Sequence, residues 1–157
     1  MRFLIQRSKE ASVSIDGKVV GAIGRGFTVL IGIGGGDTEE VADKMLKKLF
    51  GLRIFEDEAG KTNCSLAQVQ GSLLMVSQFT LYADCRRGNR PGFTYAAPPA
   101  LAESLYEYIL KRSRALMKEN GINGTVEHGE FGAEMQVSLI NDGPFTIWLD
   151  SKELGME

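Results

Sequence analysis

Apolar residues in this chain alternate with polar ones towards both ends and recur every three to four residues in two stretches between. That combination predicts an α+β fold of mostly antiparallel strands with two covering helices. Three observations carry the expectation. Short β-prone stretches broken by turn residues run from Phe3 to Ile33. Helical spacing occurs at Val41, Met45, Leu49 and Leu52, and again at Leu101, Leu105, Ile109 and Leu116. The last third returns to strand-like runs, Met135 to Ile140 and Phe145 to Leu149. No repeat, low-complexity tract or linker interrupts the 157 residues. Residues 1–157 are therefore expected to form a single domain, which at this length buries roughly 70% of its unfolded surface.

Each element has a local reason. Phe3 and Ile5 alternate with polar neighbours, as do Val13 and Ile15, and Asp16-Gly17 before Val19 predicts a hairpin. A buried strand follows at Phe27–Ile31, ended by the glycines of 32–36. Asp37 or Thr38 can cap the first helix. Arg53-Ile54-Phe55 reads as a short strand and Ser72–Val76 as a central one, leading into Ser77-Gln78-Phe79-Thr80-Leu81-Tyr82-Ala83. Pro98-Pro99 opens the second helix, which is expected to end near Asn120-Gly121. Asn141-Asp142-Gly143-Pro144 predicts a turn before the last strand.

Composition excludes several classes. Hydrophobic residues make up 43% and charged residues 24%, with 18 Lys plus Arg against 20 Asp plus Glu. A net charge of -2 gives no global attraction to nucleic acid, so any such contact must be local. Cys64 and Cys85 lack zinc-site spacing and are too few for a disulfide framework, which points to a reduced, cytoplasmic protein. The apolar run after Met1-Arg2 is too short for a signal peptide or membrane span.

Few side chains are equipped for chemistry. No Gly-x-Ser-x-Gly elbow occurs. The one histidine, His128, lies in a polar, Gly-rich stretch and reads as solvated rather than as a general base. Gly32–Gly36 lacks the third glycine of a dinucleotide fingerprint, and Glu39 and Glu40 would repel phosphate, so a tight strand-to-helix turn is expected there. Arg86, Arg87 and Arg90 read as a solvated loop, or as a grip on a phosphate backbone with Tyr82 and Phe93 near. Thr80 lacks an adjacent base, which favours packing or hydrogen bonding over nucleophilic attack. Gly143-Pro144 can simply close a β-turn, and its cis or trans state is open at this point.

The residues nevertheless match a family. Ile5-Gln6-Arg7 with Ala11-Ser12-Val13, Arg53-Ile54-Phe55-Glu56-Asp57, the segment 77–83, Phe131-Gly132-Ala133-Glu134-Met135, and Asn141 to Thr146 together resemble the D-aminoacyl-tRNA deacylases. The likeness spans nearly the whole chain in order. It implies a homodimeric, β-barrel-like α+β fold that hydrolyses the ester between a D-amino acid and the 3′ end of tRNA, without a metal or cofactor. It extends the substrates to glycine mischarged on tRNA-Ala. By that resemblance Gly143-Pro144 is cis and enters the partner subunit's pocket, where its carbonyls meet the substrate's α-amino group, and Arg7 holds the dipeptide. Ser77, Gln78, Phe79 and Thr80 would line the ester, their backbone N–H groups facing the oxyanion. Phe131, Gly132, Ala133 and Met135 would receive the terminal adenosine, Arg86, Arg87 and Arg90 would meet the tRNA, and a ribose hydroxyl would assist. Gly92, where many relatives carry serine, and the longer connection at 117–129 depart from the pattern and bear on tRNA preference. Two competing readings are an L-alanyl-tRNA deacylase of the trans Gly-Pro type and a non-catalytic module that binds RNA ends.

Overall fold

A computed structural model describes residues 1–156. Eight strands and two helices follow one another as β1 (Arg2–Ile15), β2 (Lys18–Ile23), β3 (Gly26–Gly32), α1 (Glu39–Gly51), β4 (Phe55–Glu56), β5 (Thr62–Cys64), β6 (Ser72–Ser77), α2 (Pro99–Glu119), β7 (Val126–His128) and β8 (Gln136–Asp150), with a 3₁₀ turn over Phe79–Tyr82 between β6 and α2. The large sheet runs β2-β1-β3-β6-β7, and β8 pairs with β1; β4 and β5 form a separate ribbon. β1 is antiparallel to β2, β3 and β8, whereas β6 is parallel to both β3 and β7. The parallel pairs arise because α1 and α2 are crossovers on the sheet, which return the chain in the same direction.

The hairpin expected at Asp16-Gly17 is present. Both residues have positive φ, 49° and 75°, and Ile15 pairs with Lys18, the geometry of a two-residue turn matched to strand twist. The β stretches before it are one continuous strand rather than several: apolar residues alternate from Phe3 through Val13, and no residue before Asp16 forces a turn. The Arg53–Phe55 strand shrinks to Phe55–Glu56, because the Ile54 carbonyl serves a side chain instead of a ladder.

Thr38 caps α1, its Oγ1 accepting from Val41 N, and Pro99 sits in the first turn of α2. Val41, Met45 and Leu49 are buried as expected, with Ala42 and Leu46. In α2 the inner face is Ala102, Leu105, Tyr106, Ile109, Leu110, Ser113 and Met117, so Leu101 is exposed and Leu116 only partly buried. The actual stripe is centred one residue further round, where small Ala102 and Ser113 allow close approach. Both helices pack over Phe3, Ile5, Phe27, Val29 and Ile31, with Phe27 and Phe55 stacked at 5.0 Å. On the opposite face, Ala11, Val13, Ile23, Leu74 and Val76 form a second core inside the curled, barrel-like sheet. Leu46→Ala is expected to cost about 2–5 kcal/mol, measurable by urea unfolding, because the fully buried site is walled by rigid neighbours.

The glycines of 32–36 make the expected tight turn. A Cβ at Gly34 would come within 2.9 Å of the Tyr82 ring, so the strand end and the 3₁₀ turn could not approach with a larger residue. Asp37 accepts from Gly34 N at 2.6 Å, placing a carboxylate where a phosphate loop would need an open anion site.

Candidate functional site

Ser77 ends β6, and the chain then turns instead of extending: Phe79–Tyr82 form a 3₁₀ turn although their composition is β-prone. Gln78 N donates to Ile31 O at 2.7 Å, the last contact of the β3–β6 ladder, and the next donors have moved out of the sheet. Phe79 and Thr80 open the turn, where N–H groups have no partner within the helix. Of these two residues, Phe79 lines a cavity of about 470 Å³.

That cavity gathers Ser77, Gln78 and Phe79 from one side and Phe131, Gly132, Ala133 and Met135 from the other. The start of α2 closes it with Ala97, Pro99 and Ala102, and none of its lining side chains is ionisable. The α2 residues escaped the sequence reading because small apolar residues at a helix start carry no chemical signal. Thr80 does not line the cavity; its Oγ1 accepts from the Gln78 amide and fixes that side chain. Tyr82 is no candidate base, since burial and the nearby Asp37 push its phenol well above the ordinary range.

Gly143, Pro144 and Arg7 lie elsewhere. Between the pairs Gln6–Thr146 and Ser8–Asn141, β1 has the single residue Arg7 while β8 has Asp142 to Phe145. The expected turn is thus a wide bulge inside one long strand, and the Gly143–Pro144 peptide within it is cis. Arg7, 3% exposed, holds the bulge. Its Nε donates to Asp142 O at 2.8 Å, its Nη1 to Ile54 O at 2.6 Å, and its guanidinium stacks 4.3 Å from the Phe145 ring. The Asn141 amide donates to Arg7 O and Phe145 O, closing the bulge from its other end. Ile54 acts through its carbonyl, which sequence cannot mark.

Sheet register separates the bulge from the cavity. Ser77, Ile31 and Phe3 share one row, and Leu73, Phe27 and Arg7 another. The rows are four positions apart along the strand, about 13 Å. The bulge does not line this cavity, and Gly143 and Pro144 stand exposed.

Arg86, Arg87 and Arg90 fall in a loop closed by the Asp84–Gly92 bridge. Arg86 is engaged within the loop, donating to both Asp84 oxygens and to the Tyr95 hydroxyl at 2.7–2.8 Å; its guanidinium holds the Asp84 carboxyl down at about 2. Arg87 and Arg90 are exposed. His128 ends β7 rather than sitting in a loop, and its Nδ1 lies 2.6 Å from Gly129 O, outside the cavity lining. No helix among the described residues is long and apolar enough to cross a membrane.

Fold and cavity define a class: an α+β protein with an apolar pocket whose lining carries no titratable side chain. The family model described as D-Tyr-tRNA(Tyr) deacylase matches residues 4–150, and the chain belongs to that family of ester hydrolases. It is 52% identical to the D-aminoacyl-tRNA deacylase of Thermotoga petrophila, covering 98% of this chain and 99% of the relative, and 53% identical to that of Bacillus thuringiensis, covering 97% and 100%. The solved structure of a c-Myc DNA Unwinding Element Binding Protein superposes with a TM-score of 0.88 at 41% identity over 96% of this chain and 99% of that one. A probable eukaryotic D-amino acid tRNA deacylase shares the fold, with a TM-score of 0.81 at 19% identity over 94% of this chain and 97% of that one.

Proposed function

We propose that the chain hydrolyses the ester joining a D-amino acid to the 3′ end of tRNA, in a pocket that a second copy completes. Carrying this reading is a cavity with no ionisable wall, bordered at Phe79 by the start of the 3₁₀ turn, where backbone N–H groups lack an intrahelical partner. An aminoacyl ester is already activated, so it needs oxyanion stabilisation and positioning more than a side-chain base. Water adds to the carbonyl carbon, negative charge grows on the carbonyl oxygen, and the ribose 3′ oxygen leaves with a proton. Phe79 and Thr80 N–H groups take the oxyanion, each worth on the order of 10²–10³ in rate. Gln78 and Ser77 flank the ester, and the neighbouring ribose hydroxyl relays the proton. Phe131, Gly132, Ala133 and Met135 receive the terminal adenosine, while Arg87 and Arg90 meet the tRNA backbone.

The exposed Gly143-Pro144 tip reaches the pocket of the partner, where its carbonyls accept from the substrate's α-amino group and leave no room for an L side chain. Support for a two-fold assembly comes from β8, which pairs only with β1 and exposes Val137, Ile140 and, at 41%, Trp148. Glycyl-tRNA passes the same chiral filter because it has no side chain. We place the reaction in the cytoplasm, where tRNA is charged.

Purified protein is expected to free D-tyrosine from D-tyrosyl-tRNA far faster than it cleaves L-alanyl-tRNA. The opposite preference would favour the L-alanyl reading. Protection of the ester would favour an RNA-end binding module, a reading to which the likeness to a DNA-element binding protein lends interest. Thr80→Ala is expected to keep kcat within about tenfold of the parent, since only the bond to the Gln78 amide is lost. Loss of all turnover with the fold intact would restore a threonine nucleophile. Sedimentation velocity at micromolar concentration is expected to report a dimer.

A further inference from the structure

A second concave surface lies at the C-terminal end of α1. Lys44, Lys47, Lys48 and Arg53 ring a groove of about 560 Å³ whose floor includes Leu52 and Met156. Lys44 pairs with Glu40, but Lys47 and Lys48 are exposed and have no ion pair among the described residues. Arg53 is held in place by the Asn63 carbonyl and side chain. One role for Lys48 is local, opposing the helix dipole in the last turn. That role does not account for cations on both walls of an apolar-floored groove in a chain of net charge -2. Ribose faces on such a floor with phosphates at a cationic rim is the arrangement a nucleic-acid backbone requires.

The position of the groove decides which RNA it can hold. Arg53 precedes Ile54, whose carbonyl takes Arg7, which in turn holds Asp142 beside the Gly143-Pro144 tip. The cavity lies at the other end of α1: Gly34, before the helix, pairs with Ala96, and Ala97 lines the cavity. The 13 residues of α1 span about 20 Å. Groove and tip therefore share one end of the protomer and the cavity occupies the other.

We infer that this groove grips the backbone of the tRNA whose 3′ end is in the partner's pocket, so that one subunit supplies the pocket and the other both the chiral tip and a phosphate clamp. The inference rests on the cross-subunit reading above. It commits to RNA because unpaired Lys47 and Lys48 beside an apolar floor complement a polyanion with ribose faces, and it adds local attraction to a chain that has none globally.

The test uses D-tyrosyl-tRNA and the truncated substrate D-tyrosyl-adenosine, with Lys47→Glu/Lys48→Glu and the milder Lys47→Gln/Lys48→Gln. KM for the tRNA is expected to rise on the order of tenfold more than KM for the truncated substrate, with the glutamine pair intermediate. The slope of log affinity against log salt is expected to fall by roughly 1.5, two contacts at about 0.7–0.9 each. Equal effects on both substrates, or an unchanged salt slope, would overturn the clamp. Mixed dimers locate it. With Ala133→Trp blocking one pocket, placing the lysine changes in that same subunit is expected to raise KM at the surviving pocket, and placing them in the other subunit is expected to leave it at the parent value. The reverse pattern would overturn the assignment across subunits. A parent protein that cleaves neither substrate would instead defeat the deacylase reading itself.

Discussion

Gly143→Val is expected to lower kcat/KM for D-tyrosyl-tRNA by at least about 100-fold while leaving thermal stability within a few degrees of the parent. A Cβ at this position would lie 3.0 Å from Asn141 Oδ1, a contact that a small shift of an amide relieves, and the residue is exposed in its own protomer. The fold therefore tolerates the change. What suffers is the tip: on the reading proposed above, isopropyl bulk on a segment lying against the substrate's chiral centre excludes the substrate or misplaces it, and an error near 1 Å in positioning costs on the order of 10²-fold. Steady-state kinetics with D-tyrosyl-, glycyl- and L-alanyl-tRNA check this. Undiminished turnover of D-tyrosyl-tRNA would remove Gly143 from the reaction.

Arg7→Ala is expected to be the most damaging single change outside the two cores. It removes four contacts from a buried position: the Asp142 and Ile54 carbonyls lose their partner, the Asp142 carboxylate loses a cation 3.4 Å away, and the Phe145 ring loses the guanidinium stacked on it. Leaving the two carbonyl acceptors without their partner costs about 2–4 kcal/mol in urea unfolding. Activity is expected to fall further than stability, because the bulge held by Arg7 carries the tip. Arg7→Lys retains charge but not the planar fork, so it is expected to recover some stability and little activity. Parent-like turnover in Arg7→Ala would show that the bulge holds its shape alone.

Period-two alternation from Phe3 to Val13 and the three-to-four spacing of α1 located the sheet and the covering helices, because burial acts on side chains and leaves its period in the text. Asp16-Gly17 was legible for the same kind of reason: positive φ at both positions restricts residue choice. Register was not. Whether Asn141–Pro144 ends a strand or bulges out of one depends on which residues of β1 lie opposite, and nothing within the segment records that pairing. The parallel placement of β6 was hidden likewise, since its apolar run fits a central strand in either direction.

At the site, Ser77, Gln78 and Phe79 and the residues Phe131, Gly132, Ala133 and Met135 were legible through the family resemblance, and they do meet around one cavity. The parts that escaped notice act through the backbone or through smallness. Ile54 contributes a carbonyl, Phe79 and Thr80 contribute N–H groups, and Ala97 and Ala102 contribute only space. Arg86 looked like a free cation and is instead pinned between Asp84 and Tyr95, a local pairing that composition does not reveal.

A cavity whose walls carry nothing that titrates has an unusual vulnerability profile. Reagents that inactivate hydrolases by alkylating a histidine or capturing a thiolate find no target inside it, since His128 and both cysteines lie outside its lining. Acidification or mild alkali has no wall group there to switch off. Inhibition must come instead from molecules shaped to fill the space, which makes steric fit the natural route to blocking this protein.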